Sequence, residues 1–196
     1  ISFVIPEKEI KKIVKQEAKL LNKEQKYIRG LFSGGTLCYE SMLILKDFVG
    51  DIYSNTPLNK NMKLKDPYKS YKHTCIDLGG DEFTIGRAHP MIDTTLREEM
   101  FEKEALDPEV AIILLDIVIG FGAHSNPAEV FAPKIKEYKL KAEKEGRHLI
   151  IIASVCGVEE DPQNLKKQQR ILKESGAIVM PSNATAARWA GMIMTF

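Results

Sequence analysis

The hydrophobic residues of this chain follow two alternating patterns. Short apolar runs at residues 27–32, 73–78, 110–118, 148–154 and 177–180 are typical of β-strands. Between the runs, apolar residues recur at helical spacing, at about residues 36–48, 93–106, 127–146, 161–174 and 183–192. This alternation predicts an α/β domain in which a doubly wound, five-stranded parallel sheet is covered by helices on both faces.

The third run is the most informative of the five. Residues 110–119 are apolar throughout except for Asp116. A strand that is apolar on both faces is expected in the middle of a parallel sheet, where helices cover it from both sides. A position at the edge of the sheet would contradict this interpretation.

The ends of the pattern suggest how the chain is organised. A single core fits a length of 196 residues. The chain begins with Ile1, and no signal-peptide pattern follows. We therefore expect residues 1–26 to be a linker or helical extension from a missing upstream domain, with a helix over 6–21, and residues 27–196 to be the domain itself. Residues 51–71 are rich in lysine and poor in large apolar groups, so they are expected to be the most mobile or irregular segment.

Composition narrows the function classes. Apolar residues make up 44% of the chain and charged residues 28%, and the net charge is +1. These values suit a soluble protein with neither a nucleic-acid face nor a membrane patch. The three cysteines, Cys38, Cys75 and Cys156, are widely spaced, which fits reduced thiols in a cytoplasmic protein. The four histidines lack acidic partners at ligand spacing, so no metal site is expected.

The turn after the first strand carries the main candidate chemistry. Ser33, Gly34, Gly35 and Thr36 stand between the end of the strand and the start of a helix. Glycines allow a ligand to approach the backbone closely, and the free N–H groups of a helix N-terminus favour an anion, above all a phosphate. The alternative is a structural turn in which Ser33 or Thr36 caps the helix.

Other polar clusters follow the remaining strands, and the carboxyl ends of parallel strands share one edge of the sheet. His89 and His124 lie among small residues in two of these clusters, which makes them candidates for catalysis. Cys156 precedes a helix N-terminus but has no evident base nearby, and His73 and His148 begin strands and receive no role. The clusters expected to converge are residues 33–36, 79–81 (Gly79, Gly80, Asp81), 89, 120–126, 156–161 and 182–183, which include Asn183.

Five segments resemble the FdrA family, bacterial relatives of the α subunit of succinyl-CoA synthetase and of other NDP-forming acyl-CoA synthetases. They are residues 32–40 (FSGGTLCYE), 77–84 (DLGGDEFT), 89–93 (HPMID), 122–124 (GAH) and 157–163 (GVEEDPQ). The resemblance covers nearly everything from residue 27 onward. It implies a flavodoxin-like ligase domain that follows a CoA-binding domain and handles CoA and a phosphate or nucleotide. The implied partners are an ATP-grasp β-type subunit or domain and further subunits of an oligomer.

The resemblance also assigns roles to residues. Ser33 to Thr36 match the turn that holds the phosphate of a phosphohistidine in the synthetases, and Gly79, Gly80 and Asp81 would form a second wall. The synthetases carry the phosphorylated histidine after the fourth strand, but residues 156–162 contain no histidine here. His124 follows the preceding strand and does not match that position. Three functions remain open: a ligase domain, a carbamoyltransferase component of allantoin or oxamate degradation, and a non-catalytic scaffold.

Overall fold

The computed structural model describes residues 7–196, with side chains from Glu9 onward. In this range the chain forms α1 (Glu7–Leu20), β1 (Tyr27–Phe32), α2 (Gly35–Val49), β2 (Thr74–Asp77), α3 (Asp81–Thr84), α4 (Thr95–Leu106), β3 (Val110–Val118), α5 (Pro127–Lys144), β4 (Ile150–Cys156), α6 (Leu165–Glu174), β5 (Ile178–Met180) and α7 (Asn183–Met194). One 3-10 turn, Lys60–Met62, lies between α2 and β2.

The five strands form one parallel sheet in the order β2-β1-β3-β4-β5. This is the flavodoxin-like, doubly wound arrangement, so the predicted fold is confirmed. β3 lies at the centre, where Leu114 pairs with Gly30 of β1 on one side and with Ile152 of β4 on the other. The strand order reverses between β1 and β3, and ligands of such sheets bind outside the carboxyl ends of the strands at this point.

Each face of the sheet has its own hydrophobic core. One core contains Phe101 of α4, Phe131 of α5 and Ile113 of β3, all fully buried. The other contains Met42 of α2, Trp189 of α7 and neighbouring strand residues. Successive β3 side chains alternate between the two cores, which is why the strand is apolar at almost every position.

Several helix boundaries differ from the predicted ones. α6 begins at Leu165 rather than near residue 161, because the Asp161 carboxylate accepts a hydrogen bond from the Val158 amide (2.6 Å) and closes a turn within the loop. Asn164 caps the helix instead, with its side chain accepting from the Lys167 amide. A short helix that was not predicted, α3, follows β2, and α4 begins at Thr95 rather than residue 93.

α1 packs against the domain rather than extending away from it. Val14 is buried in the core of the α2 and α7 face, with Ile10 and Ile13 against the same core. The Glu17 carboxylate contacts His148 Nε2 at 2.7 Å, which ties the helix to the segment before β4. The origin of residues 1–26 in an upstream domain stays a prediction, and residues 1–6 lie outside the described range.

Residues 51–71 are irregular, as predicted, but the expected shortage of apolar anchors is wrong. Ile52 is buried in one core and Leu64 in the other. The Tyr53 amide donates to the His73 carbonyl (2.8 Å), and the Tyr53 carbonyl accepts from the Cys75 amide (2.9 Å). This pairing covers the outer edge of β2, an edge that would otherwise present unpaired backbone groups.

Candidate anion-binding site

The turn between β1 and α2 presents free backbone donors. Gly34 is the N-cap of α2, in extended conformation (φ −164°), and no side chain caps the helix. Neither Ser33 nor Thr36 therefore acts as the cap considered from the sequence. Within residues 7–196 the amides of residues 34–37 donate no hydrogen bond to protein. Unsatisfied amides at a helix N-terminus, with the positive end of the helix dipole, fit an oxyanion.

Ser33 is turned into the protein. Its amide donates to Asp116 Oδ1 (2.9 Å), and its hydroxyl donates to Asp116 Oδ2. Ser33 is 1% exposed, and its hydroxyl is engaged with Asp116, so the ligand-binding role of this residue stays a prediction. Because Ser33 follows β1 and Asp116 belongs to β3, these bonds hold the turn in place across the point where the strand order reverses.

Asp116 is paired in turn with Arg97 of α4. Arg97 Nη2 lies 2.9 Å from Asp116 Oδ1 and also donates to the Asp116 and Leu31 carbonyls (2.7 and 3.0 Å). Both side chains are buried, and burial lowers the pKa of Arg97 while the Asp116 carboxylate opposes that shift. The guanidinium also lies 5.2 Å from the centre of the Phe131 ring. A buried carboxylate with this many donors is held in one geometry, and so is the turn it supports.

Gly79 brings a second wall against the turn. A Cβ atom on Gly79 would lie 2.8 Å from the Ser33 carbonyl oxygen, 2.8 Å from His89 Nε2 and 3.2 Å from Asp77 Oδ1. Only glycine leaves room for these three groups to meet. The predicted second wall is thus adjacent to the turn at Gly79, whereas Asp81 is exposed at the start of α3.

The two candidate histidines occupy different positions. His89 Nδ1 accepts from the Met91 amide (3.3 Å), so the proton of the neutral ring is assigned to Nε2, the atom beside Gly79. His124 lies one loop away, where its amide donates to the Met91 carbonyl (2.7 Å) and its Nδ1 accepts from the Asn126 amide (3.1 Å). The structure therefore places His89, and not His124, against the turn.

Asn183 contacts α2 instead of the turn. Its Nδ2 lies 2.9 Å from the Leu37 carbonyl, 2.8 Å from Glu40 Oε2 and 3.0 Å from Ser41 Oγ. These contacts occupy the donor hydrogens of the amide and hold the start of α7 on α2. The ligand-binding role predicted for Asn183 stays a prediction, with this side-chain nitrogen already engaged.

The loop after β4 supports its neighbour rather than carrying a histidine. Gln163 donates from Nε2 to the carbonyls of Gly120 (2.9 Å) and His124 (3.1 Å), and its Oε1 accepts from the Gly120 amide (3.0 Å). Cys156 is exposed at the end of β4. The loop thus fixes the position of the His124 loop through one buried glutamine.

Sequence reasoning missed two residues that shape the site. Asp77, the last residue of β2, lies beside Gly35, where a Cβ atom would be 2.9 Å from Asp77 Oδ2. Asn55 accepts from the Asp77 amide and donates to the Asp77 carbonyl, both at 2.9 Å. The sequence signal that could have identified Asp77 was an acidic residue among the apolar residues of a predicted strand. Asp116 gives the same signal. Asn55 gave no such signal, because it lies in the irregular segment.

Other features of the described residues do not add to this site. Among the side chains that the structure describes, from Glu9 onward, no group of three or more His, Cys, Asp and Glu is placed to hold a metal ion. No helix in residues 7–196 is long and apolar enough to cross a membrane. A cavity of about 710 Å³ lies at the opposite edge of the sheet, lined by Leu20, Leu140 and His148 among others, and contains none of the predicted site residues.

Comparisons with known proteins agree with the architecture. The model of the family described as CoA-ligase matches residues 31–193. The uncharacterized protein YahF of Escherichia coli (strain K12) is 47% identical over 163 residues, which are 83% of this chain and 32% of YahF. The chain therefore spans about a third of the length of that relative. The crystal structure of PH0766 from Pyrococcus horikoshii OT3 covers 95% of this chain and 39% of its own, with a TM-score of 0.50 and 11% identity, a likeness of fold alone.

Proposed function

The chain belongs to the CoA-ligase family, whose succinyl-CoA synthetase-like domain matches most of its length, and on that premise we propose that it is the ligase domain of an FdrA-type acyl-CoA synthetase-like protein. In this proposal the turn at residues 33–36 binds a phosphate or acyl-phosphate group. The observation that carries it is the set of free amides at residues 34–37. A helix N-terminus contributes roughly half a positive charge to an anion, worth ~0.3–1 kcal/mol at an exposed site and up to ~2 when partly buried.

The chemistry proposed here does not pass through the usual phosphohistidine. Residues 156–162 contain no histidine, so a phosphoryl group bound at the turn has no histidine in that loop to receive it. His89 is the side chain best placed to act on the bound group, because its Nε2 lies beside Gly79 at the edge of the turn. There it would donate a hydrogen bond to the anion or take up a proton. His124 would act only from the neighbouring loop.

The remaining parts of the reaction would come from other domains. In this proposal CoA and a nucleotide are bound in an assembly with an N-terminal CoA-binding domain, to which residues 1–26 would connect, and an ATP-grasp β-type subunit or domain. The assembly would be a homo- or hetero-oligomer in the cytoplasm. The length of YahF, about two and a half times that of this chain, leaves room for such domains in a relative.

A second candidate is carbamoyl transfer in allantoin or oxamate degradation. Carbamoyl phosphate carries the same tetrahedral oxyanion as an acyl phosphate, so the same turn would hold it. The missing histidine favours this reaction, because transfer to a small acid or amide needs no phosphoenzyme. A non-catalytic scaffold remains the third candidate. Incubation with labelled ATP or carbamoyl phosphate, with and without CoA, separates the three by the product formed.

The anion site itself is tested by calorimetric titration with phosphate. Gly35→Val should weaken binding about tenfold or more, because its Cβ would lie 2.9 Å from Asp77 Oδ2 and displace the first turn of α2. Asp51→Asn is the control: Asp51 is exposed and lies beyond the far end of α2, so binding and stability should stay at wild-type values. Circular dichroism verifies that both variants fold. Equal binding by wild type and Gly35→Val would leave only a structural turn.

A further inference from the structure

Asp77 lies beside the start of α2, and only one of its carboxylate oxygens accepts a hydrogen bond from the part of the protein that the structure describes. Oδ1 accepts from the Gly79 amide (3.0 Å). Oδ2 accepts no hydrogen bond from any described atom of the protein and lies beside the first turn of α2, 2.9 Å from the position of a Cβ on Gly35. As a whole residue, Asp77 is 7% exposed. A group buried to this extent normally has its polar atoms paired.

The surroundings of Asp77 favour its neutral form. Burial raises the pKa of Asp77, and the carboxylates of Glu82 on α3 and Asp116 on β3 raise it further. The Gly79 amide and His89 oppose the shift but do not reverse it. On the α2 side Cys38 faces Asp77 as a buried thiol whose own pKa is raised well above its usual value, so it adds no countercharge. Asp116 itself forms an ion pair with Arg97.

We propose that Asp77 makes anion binding at this turn depend on a proton. When the Asp77 carboxyl group is ionised, it competes with the ligand for the N-terminus of α2. When it is protonated, its Oδ2–H donates a hydrogen bond to a tetrahedral oxyanion. This inference rests on the proposed function of the turn and identifies the residue that controls its affinity. The proton belongs on Oδ2, because Oδ1 already accepts from an amide. Above the pKa of Asp77, binding one anion therefore takes up one proton.

The expected pH dependence follows from this stoichiometry. Above the pKa of Asp77, affinity falls by up to about tenfold per pH unit, because a proton must first be bound. Below that pKa, affinity levels off. Replacing Asp77 with Asn removes the charge but keeps the shape and offers an N–H donor, so affinity at high pH should rise and the pH dependence should disappear.

The experiment is a calorimetric titration of the full 196-residue chain with sulfate from pH 5 to pH 8. Sulfate keeps its charge over this range, so any change in affinity belongs to the protein. Wild type should bind more weakly as pH rises, and Asp77→Asn should bind with one affinity throughout. Asp93→Asn, at an exposed carboxylate of the same edge that faces Arg87 and His124, should retain the wild-type profile.

His89 is the other group near the turn whose protonation would favour an anion, and His89→Gln separates the two. If His89→Gln flattens the profile while Asp77→Asn keeps it, the proposal is overturned and the proton belongs to His89. A wild-type profile that does not change with pH overturns it as well. If neither wild type nor Asp77→Asn binds sulfate at any pH, the anion-binding function fails, and this inference with it.

A second measurement does not depend on a variant folding. The carboxyl carbon of Asp77, observed by NMR in wild type, should titrate at a higher pH when sulfate is present than when it is absent, because a bound anion favours the protonated acid. The same titration point with and without sulfate, in a sample that binds sulfate, would overturn the proposal. Binding is verified in that sample by calorimetry.

Discussion

Replacing Asp116 with Asn tests whether the site is held by a buried ion pair. The substitution keeps the size of the side chain but removes the charge that faces Arg97 and places an N–H₂ group opposite the Ser33 hydroxyl. Asp116 is fully buried and accepts three hydrogen bonds, from the amide and hydroxyl of Ser33 and from Arg97 Nη2. The change leaves the guanidinium of Arg97 charged, buried and without its counterion.

The size of the effect follows from this geometry. Removing one partner of a buried pair costs ~3–5 kcal/mol. The carbonyls of Asp116 and Leu31 still accept from Arg97 Nη2, so we expect the lower end of that range, about 3 kcal/mol. A domain of this size is typically stable by ~5–15 kcal/mol, so the variant should remain folded but clearly weakened. The melting temperature should fall by about 6–12 °C, at ~2–4 °C per kcal/mol.

Urea unfolding followed by circular dichroism measures the loss. Ser33→Ala, which removes only the hydroxyl donor, should lose about 1.5–3 kcal/mol, less than Asp116→Asn. Asp51→Asn, at an exposed residue after α2, is the control and should unfold like wild type. In a double-mutant cycle, Arg97→Met with Asp116→Asn should cost less than the sum of the single changes, because no unpaired charge is left. Strict additivity, or a loss for Asp116→Asn below about 1 kcal/mol, would refute the argument.

Three further outcomes are expected. Burial lowers the pKa of His73 to about 4 in the folded protein, so between about pH 6.5 and 4 the unfolded chain binds a proton that the folded chain does not. Wild type should therefore lose stability relative to His73→Gln as the pH falls through that window. A difference in urea midpoint that stays constant with pH would contradict this. Gly191→Ala places a Cβ 2.5 Å from the Phe48 ring and should cost ~1–3 kcal/mol in urea unfolding, whereas Gly34→Ala, with no atom within 4 Å, should cost none of this overpacking energy. Cys156 should react rapidly with a thiol reagent and the two buried cysteines only after unfolding, and three equally fast thiols in the folded protein would contradict the burial.

The sequence predicted the helices, the strands and the parallel sheet, because the local spacing of apolar residues shows which side of each element is buried. The runs at residues 27–32 and 110–118 became strands with those bounds, and the second lies at the centre of the sheet, as its apolar character on both faces requires. The sequence also predicted the turn at residues 33–36, since two glycines between a strand and a helical pattern are typical of a tight turn. The positions of the polar clusters at one edge followed from the parallel order.

The polar partners were decided only by the tertiary structure. From the sequence, Ser33 was one of two candidate helix caps, yet it bonds to Asp116, 83 residues away, because β1 and β3 are neighbours in the sheet. Asn55 read as part of a loose loop, yet it pairs with the backbone of Asp77. The spacing of hydrophobic residues in the sequence predicts which residues are buried. It does not predict the hydrogen-bond partner of a buried polar group, because that partner depends on the order of the strands and on the direction of the side chains. Those are properties of the assembled sheet, so the free amides of the turn were predictable, and the hydrogen-bond partners of the two carboxylates beside them were not.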